Sequence, residues 1–298
     1  MPKIFVTGGA GFIGSHLVDA LVDKNEVIVL DNLSTGKKEN LNLSAKLYEV
    51  DIRNEKISEI FKKEKLDYVF HLAAQTSLKK SLENPELDRE INYEGSMNIF
   101  NSAVSAGVER IIFTSTAGVY SPDCEIPTPV FAEKNPVSEY GRNKLSAELF
   151  LNPKKFSYVI LRLANVYGPR QNNDGEGGVI AIFSDKISKT EKIYIYGDGE
   201  QTRDFIYVED VVDALLLARE IPSGIYNIGT GKETSINSLI KIFGKITGKK
   251  IEKNFFPETD AGQLRSALDS TDFHRFRWNP KTILEEGLKK TYKWFESR

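Results

Sequence analysis

The first thirty residues leave this chain little freedom. Residues 3–7 (Lys-Ile-Phe-Val-Thr) are apolar and β-branched, Gly8-Gly9-Ala10-Gly11-Phe12-Ile13-Gly14 follows at once, and apolar residues then recur at helical spacing to Val22. That is a strand, a glycine turn and a helix in direct succession. The turn satisfies Gly-x-Gly-x-x-Gly from Gly9 and Gly-x-x-Gly-x-x-Gly from Gly8. Glycines there let the backbone close on a pyrophosphate, and the helix N-terminus offers it free N–H groups and a favourable dipole. A tight turn without a ligand is the plainer reading of glycines alone. The strand before and the helix after favour a dinucleotide.

The second apolar run, residues 26–30, ends at Asp31, where the fingerprint places an acid about 20 residues beyond the central glycine. Its carboxylate can accept both adenosine ribose hydroxyls and would repel a 2′-phosphate, so NAD is expected rather than NADP. A strand-end aspartate that caps a turn is the alternative. Asp51, after a third run at 46–50, has two equal readings: an acceptor for the adenine amino group, or a helix cap near Asn54.

Further runs at 67–71, 109–114 and 156–163 alternate with helical patterns at 54–64, 85–107 and 137–151. Short apolar runs alternating with helices mean βαβ units and a parallel sheet buried on both faces. The fold class is therefore α/β: a Rossmann doubly wound parallel sheet with a smaller, discontinuous C-terminal substrate-binding lobe. The expected boundaries are 1–164 plus about 208–228 for the NAD-binding domain, and 165–207 with 229–298 for the second lobe. Val208–Glu220 reads as a helix returning to the sheet, and a cleft between the lobes is expected to take the substrate.

Composition excludes several classes. The chain has 298 residues, with 40 basic and 42 acidic ones interspersed for a net charge of -2. No basic block exists to bind nucleic acid. No apolar run is long enough for a membrane span. Cys124 is the one cysteine, so no intrachain disulfide can form and a cytoplasmic, reducing setting is expected. Cys124 itself is read as inert. His16, His71 and His274 show no metal-ligand spacing with one another or with Cys124, so no metal is expected.

Tyr140-Gly-Arg-Asn-Lys144 places a phenol and an ammonium four apart, on one helix face. An exposed helix pair is the bland reading. Chemically the pair can make a base, because a neighbouring ammonium and an oxidised nicotinamide both favour phenolate. Phe113-Thr114-Ser115-Thr116-Ala117-Gly118-Val119-Tyr120 follows the 109–114 run, at the carboxyl end of the sheet, where ligands bind. One of its hydroxyls is suited to orient a substrate hydroxyl; a Thr- and Ser-rich turn is the alternative.

Taken with Asp31-Asn-Leu-Ser-Thr-Gly36, His71-Leu-Ala-Ala-Gln75, Asn165-Val-Tyr-Gly-Pro-Arg170 and Gly197-Asp-Gly-Glu-Gln-Thr-Arg-Asp204, these motifs span nearly the whole chain. The sequence resembles the extended short-chain dehydrogenase/reductase family and, within it, the UDP-glucose 4-epimerase branch. The resemblance implies Tyr140 as base, Lys144 as its partner and nicotinamide-ribose ligand, and Thr116 as the catalytic hydroxyl. It implies NAD contacts from Gly8, Gly11, Phe12, Ile13, Gly14, Asp31, Asn32, Ser34, Thr35, Gly36, Asp51, Ile52, Leu72, Ala73 and Ala74. In related dehydratases and decarboxylases an Asp or Glu follows the catalytic hydroxyl, whereas Ala117 and Gly118 follow Thr116. The implied reaction is 4-epimerisation of a UDP-hexose through a 4-keto sugar, with NAD regenerated each cycle. A reductase, another epimerase of the family, or a non-catalytic nucleotide-binding module are the rivals.

For the substrate, the resemblance implies Asn165 and Arg203 near the diphosphate, and Gly178 and Val179 along the uridine. Tyr194 is either a neighbour of the base or a core strand position. Lys79 and Ser81, read as loop residues, are expected to reach the sugar or phosphate. The family's Arg-x-Gly-Asp-like stretch is altered here to Glu258-Thr-Asp-Ala-Gly-Gln-Leu-Arg265-Ser-Ala-Leu-Asp269, with Arg265 as a stand-in from a shifted register. Ser266 and Ala267 are small, which predicts tolerance of an N-acetyl group. The helices at 85–107 and 137–151 are expected to pair with a second copy in a homodimer.

Overall fold

A computed structural model describes residues 1–152, 156–173, 178–257 and 264–298. The apolar runs form one sheet of seven strands: β1 (Lys3–Thr7), β2 (Glu26–Leu30), β3 (Lys46–Tyr48), β4 (Tyr68–His71), β5 (Arg110–Thr116), β6 (Tyr158–Leu163) and β7 (Gly224–Ile228). Their order across the sheet is 3-2-1-4-5-6-7. β1 runs parallel to β2 and β4, β2 to β3, and β4 to β5. This is the Rossmann doubly wound arrangement, whose strand order reverses between β1 and β4.

Strand residues are buried on both faces, as continuous apolar runs require. Phe5, Ile28, Leu30, Val69 and Phe113 share one core with helix α2 (Ile57–Glu64) and the helical residues Ile99, Phe100, Ala147 and Leu151. On the other side α1 (Phe12–Leu21) lies close against β2: a Cβ on Gly9 would stand 2.7 Å from the Val29 side chain and 3.3 Å from that of Val18.

The pattern at 85–107 is not one regular helix. After α3 (Leu78–Glu83), Asn84 caps α4 (Pro85–Arg89), accepting from the Leu87 N–H at 3.1 Å, with Pro85 in the first turn. A π-helical segment, Glu90–Gly95, then joins α4 to α5 (Ser96–Ser105). Apolar periodicity cannot reveal a wide turn, because the chain stays helical through it. Lys79 and Ser81 lie on α3 and not in a loop; Ser77 caps that helix, accepting from Lys80 N at 3.0 Å.

The chain divides into two compact units. The first comprises Met1–Ser121, Glu133–Arg162 and Val212–Tyr226, and the second Pro122–Ala132, Leu163–Val211 and Asn227–Arg298. Sequence reading assigns 122–132 to the NAD-binding domain, but backbone bonds hold it in the second unit. Thr128 N donates to Ala267 O at 2.8 Å, and Asp269 N donates to Thr128 O at 2.9 Å. Helix α8 (Val208–Leu217), expected whole in the first domain, contributes Val208–Val211 to the second unit.

Three strand pairs structure the second unit: 165–167 with 205–207, 193–196 with 253–256, and 202–203 with 234–235. Helices α7 (Val179–Ser188), α9 (Ile236–Thr247), α10 (Thr271–His274) and α11 (Leu284–Glu296) complete it. A Cβ on Gly287 would stand 2.1 Å from the Tyr167 hydroxyl, so only glycine lets α11 rest on that ring.

Candidate active site

The glycine turn is built for close approach. Gly8 has a φ of +70°, and a Cβ on it would stand 2.8 Å from Ala73 N. A Cβ on Gly14 would stand 2.1 Å from Gly8 O. Gly11 begins α1 with no side-chain cap, and the first turn holds no acid. The first helical bond runs from Ser15 N to Gly11 O at 3.0 Å. The N–H groups of Phe12, Ile13 and Gly14 therefore have no helical acceptor. Three free donors, a narrow glycine floor and no competing carboxylate fit a dinucleotide pyrophosphate.

A buried chain of hydrogen bonds supports the turn from below. Thr7 Oγ1 accepts from Leu72 N at 3.2 Å and Ala73 N at 3.1 Å, and lies 2.7 Å from His71 Nδ1. His71 Nε2 lies 2.9 Å from Ser96 Oγ, which donates its single proton to Asn92 O at 2.7 Å. Ser96 can therefore only accept from His71, which places the imidazole proton on Nε2 and makes Nδ1 the acceptor for Thr7. Burial holds His71 neutral, well below its ordinary pKa, with the Lys144 charge as a lesser cause.

Asp31 is buried at the end of β2. Its Oδ2 accepts from Ala10 N at 2.9 Å and its Oδ1 from Leu33 N at 2.8 Å. The carboxylate caps its own turn, and each oxygen keeps a second lone pair for a ribose hydroxyl. Burial raises its pKa against these backbone bonds. A Cβ on Gly36 would stand 2.8 Å from Asp31 Oδ1, so the 32–36 loop folds directly over the acid. Within that loop Ser34 N donates to Asn32 Oδ1 at 3.0 Å, and Thr35 precedes the glycine.

Asp51 accepts from Asn32 Nδ2 at 2.8 Å and from Arg53 Nε at 2.9 Å. The Arg53 guanidinium pulls it down to about 2. It closes a turn through Arg53 N at 2.9 Å and does not cap α2, which follows Lys56. Ile52 is buried against Gly95 of the π-helical segment, and Ala74 continues the chain beyond Ala73.

Thr116 and Tyr140 come from adjacent pieces of the first unit. Thr116 ends β5, and its Oγ1 accepts from Gly118 N at 3.1 Å. Its hydroxyl proton has no acceptor among the described residues. Helix α6 (Glu139–Leu151) is capped by Ser138, which accepts from Gly141 N at 3.0 Å. A Cβ on Gly141 would stand 2.3 Å from Gly118 O. Gly141 thus lets α6 close on the turn after Thr116, a role its place inside the Tyr140–Lys144 motif could have signalled.

Lys144 is buried, with Nζ 4.3 Å from the Phe113 ring centroid. Burial lowers its pKa to about 7, against the Glu148 and Asp88 charges, which raise it. Tyr140 goes the other way: burial raises its pKa, and the Asp88 carboxylate adds to the rise. The expected lowering by Lys144 is therefore not a property of the protein alone. Desolvation of the phenolate and the Asp88 charge set this direction, and burial also disfavours the charged form of Lys144.

Sequence reading missed the surroundings of this pair. Asp88 is buried and accepts from Asn143, Asn92 and Gln75 side-chain amides at 2.8, 3.0 and 2.9 Å. One turn beyond Lys144, Glu148 accepts from Arg162 Nη2 at 2.6 Å, and both side chains are 2% exposed. These residues lie far apart in sequence, and no local motif links them.

In the second unit, Arg203 donates to the backbone of Thr202 at 2.7 Å and pairs with no carboxylate among the described residues. The neighbouring Asp204 is satisfied elsewhere, by Thr230, Gly231 and Leu268. Burial lowers the Arg203 pKa. A partly buried guanidinium without a counter-ion suits a phosphate. Asn165 is exposed at the start of the 165–167 strand, where its N–H donates to Asp204 O at 2.9 Å, and Gly178 and Val179 open α7.

Tyr194 is 44% exposed, with Ile193 and Ile195 turned inward, so it is not a core position. Lys79 is exposed and pairs loosely with Glu83 at 3.9 Å. Arg265 is held by Glu233 at 2.5 Å and 2.9 Å. Ala267 is buried, leaving Ser266 as the more exposed of the two small residues. Residues 258–263 lie outside the described residues. Among the described residues no His, Cys, Asp or Glu cluster suits a metal ion, and no helix is long and apolar enough to cross a membrane.

Known proteins resemble this chain in sequence and fold. The model of the NAD dependent epimerase/dehydratase family matches residues 4–229. A UDP-glucose 4-epimerase of Mycolicibacterium smegmatis is 37% identical over 310 residues, covering 99% of this chain and 99% of that protein. The structure of Thermotoga maritima UDP-glucose 4-epimerase with UDP-glucose is similar at a TM-score of 0.97 and 44% identity, covering 99% of each chain. A UDP-N-acetylglucosamine 4-epimerase of Methanobrevibacter ruminantium, in complex with UDP-N-acetylmuramic acid, gives 0.95 and 36%, covering 99% of this chain and 98% of that one.

Proposed function

The chain belongs to the NAD-dependent epimerase/dehydratase family, and from that premise we propose that it inverts the 4-hydroxyl of a UDP-hexose. The observation that carries this reading is the trio Thr116, Tyr140 and Lys144 with Ala117 and Gly118 after the hydroxyl. The trio supplies a proton acceptor, and the absent acid leaves nothing there to eliminate water from the sugar.

In this reading Tyr140, as phenolate, takes the proton of the sugar 4-hydroxyl, Thr116 orients that oxygen through a hydrogen bond from its hydroxyl and keeps its own proton, and Lys144 steadies the phenolate. NAD, when bound, supplies a reversible hydride acceptor for sugar carbon 4 and a positive charge beside Tyr140. The protein alone holds Tyr140 protonated, so proton abstraction is coupled to cofactor occupancy. The glycine turn, Asp31 and the 32–36 loop hold the pyrophosphate and adenosine. Arg203 and Asn165 hold the substrate diphosphate, while Gly178, Val179 and Tyr194 lie along the uridine. Lys79 and Arg265 are exposed side chains that would have to leave Glu83 and Glu233 to take part.

The relatives named above act on UDP-glucose and UDP-N-acetylglucosamine, and Ser266 is small. Both support a pocket that admits plain and N-acetylated hexoses. Val104 on α5 and Leu149 on α6 are 40% and 61% exposed, which supports a homodimer formed through these helices. The single cysteine supports a cytoplasmic setting.

Purified protein is incubated with UDP-galactose, without added NAD, while the anomeric protons are followed by NMR. UDP-glucose should appear, with the cofactor carried through purification. If neither UDP-galactose nor UDP-N-acetylgalactosamine is converted even with added NAD, the reading fails.

A further inference from the structure

Asp88 sits on α4, 1% exposed, and two oxygens receive three amide donors from three segments. Gln75 follows β4, Asn92 lies in the π-helical segment, and Asn143 stands on α6 beside Lys144. A carboxylate accepts at every lone pair, whereas an amide in its place would turn an NH2 against one of these donors. No basic side chain hydrogen-bonds Asp88 among the described residues. A buried anion is costly unless charge-assisted bonds and a nearby cation offset its desolvation.

Among the described residues, the buried cation on which the Asp88 charge acts is Lys144. Glu148, the other acid near that ammonium, is already committed to Arg162. His71 is neutral. Among the described residues, other charges on segments packed against α6 have partners of their own: Lys79 pairs with Glu83, Arg89 with Glu86 and Glu94, Glu90 with Arg53, and Glu139 with Arg142, and Lys80 on α3 is not free either. Arg110 donates to the carbonyls of Ala218, Arg219 and Ile221.

We propose that Asp88 is a positioning residue, which through Asn143 fixes the turn of α6 carrying Tyr140 and Lys144 and whose charge keeps the buried Lys144 ammonium in place. The proposed epimerase chemistry enters only in what the positioned pair then does.

The first test needs no substrate. Protein labelled with 13C at lysine Cε is titrated by NMR, and the Lys144 signal is assigned by its loss in Lys144→Met. In Asp88→Asn the Lys144 midpoint should fall by on the order of one pH unit. In Asn143→Ala, which leaves the charge, it should fall far less. An unmoved midpoint in folded Asp88→Asn overturns the proposal.

The second test is turnover. Each single variant should lower kcat about tenfold or more with KM nearly unchanged. The double variant should be no worse than the weaker single, because both cut one link. Additive losses, or a kcat left intact, overturn the positioning role. If Asp88→Asn does not fold, Asp88→Glu takes its place: the charge stays while the amides are displaced, so the midpoint should hold and kcat should fall, and a fallen midpoint overturns the idea. Absence of epimerisation by the wild type would count against the proposed activity, and the lysine titration would still decide the role of Asp88.

Discussion

Lys144 couples charge to stability in a direction unusual for a lysine. Its folded pKa, about 7, lies below the ordinary value because burial disfavours the ammonium. Between about pH 7 and 10 the unfolded chain binds a proton that the folded chain does not, so stability should rise with pH through that window. Urea unfolding of wild type and Lys144→Met across it should show the slope in the first and its loss in the second. Tyr140→Phe should lower kcat by about 10² to 10⁴-fold while NAD stays bound; near-normal turnover would remove Tyr140 from the chemistry. Asp31→Ser should weaken NAD binding and narrow the preference over NADP, measured by quenching of protein fluorescence. Tyr140, Lys144 and Asp31 were visible in the sequence because each sits at a fixed offset within a motif. Asp88 was not, because its bond to Asn143 crosses 55 positions and leaves no periodic trace.

One cap and one glycine set α6, the helix that carries the proposed catalytic pair. Ser138→Ala should remove about 1 kcal/mol of stability and leave kcat nearly unchanged, since the cap lies outside the reacting groups. Gly141→Ala should do more harm, because its new methyl would stand 2.3 Å from Gly118 O and push α6 off the turn after β5. There kcat should fall along with the unfolding temperature, and an unharmed kcat would show that the two segments need not touch so closely. Strands were legible as short apolar runs because burial on both faces keeps most of their positions apolar, with the buried polar residues such as Thr7, His71 and Arg162 mostly near strand ends. The irregular helix at 85–105 was not, since a π turn changes hydrogen-bond partners without changing composition.

At the scale of the molecule, the chain leaves and re-enters its first unit through segments whose membership depends on tertiary bonds. Residues 122–132 look like a loop of the first domain, yet Thr128 ties them to Ala267 and Asp269 in the second unit. Hydropathy registers neither bond. If α5 and α6 form the proposed dimer interface, Leu149→Glu should yield a species near 33.5 kDa by light scattering while the wild type runs at twice that mass. A wild type of monomer mass would refute the dimer.

The π turn lets one rod serve two neighbours out of phase. Asp88 before the turn and Asn92 within it face Gln75, and Asp88 also holds α6; downstream, Asn98 donates to the carbonyls of Ile52 and Asn54 at 2.8 and 3.0 Å. One residue corresponds to about 100° of helix rotation. Deleting a single residue between Glu90 and Gly95 would turn one half away from its partners while the other half stayed engaged. Exchanging a side chain along this rod leaves the frame intact, whereas adding or removing a position would throw α6 and the Asp51 turn out of frame with each other.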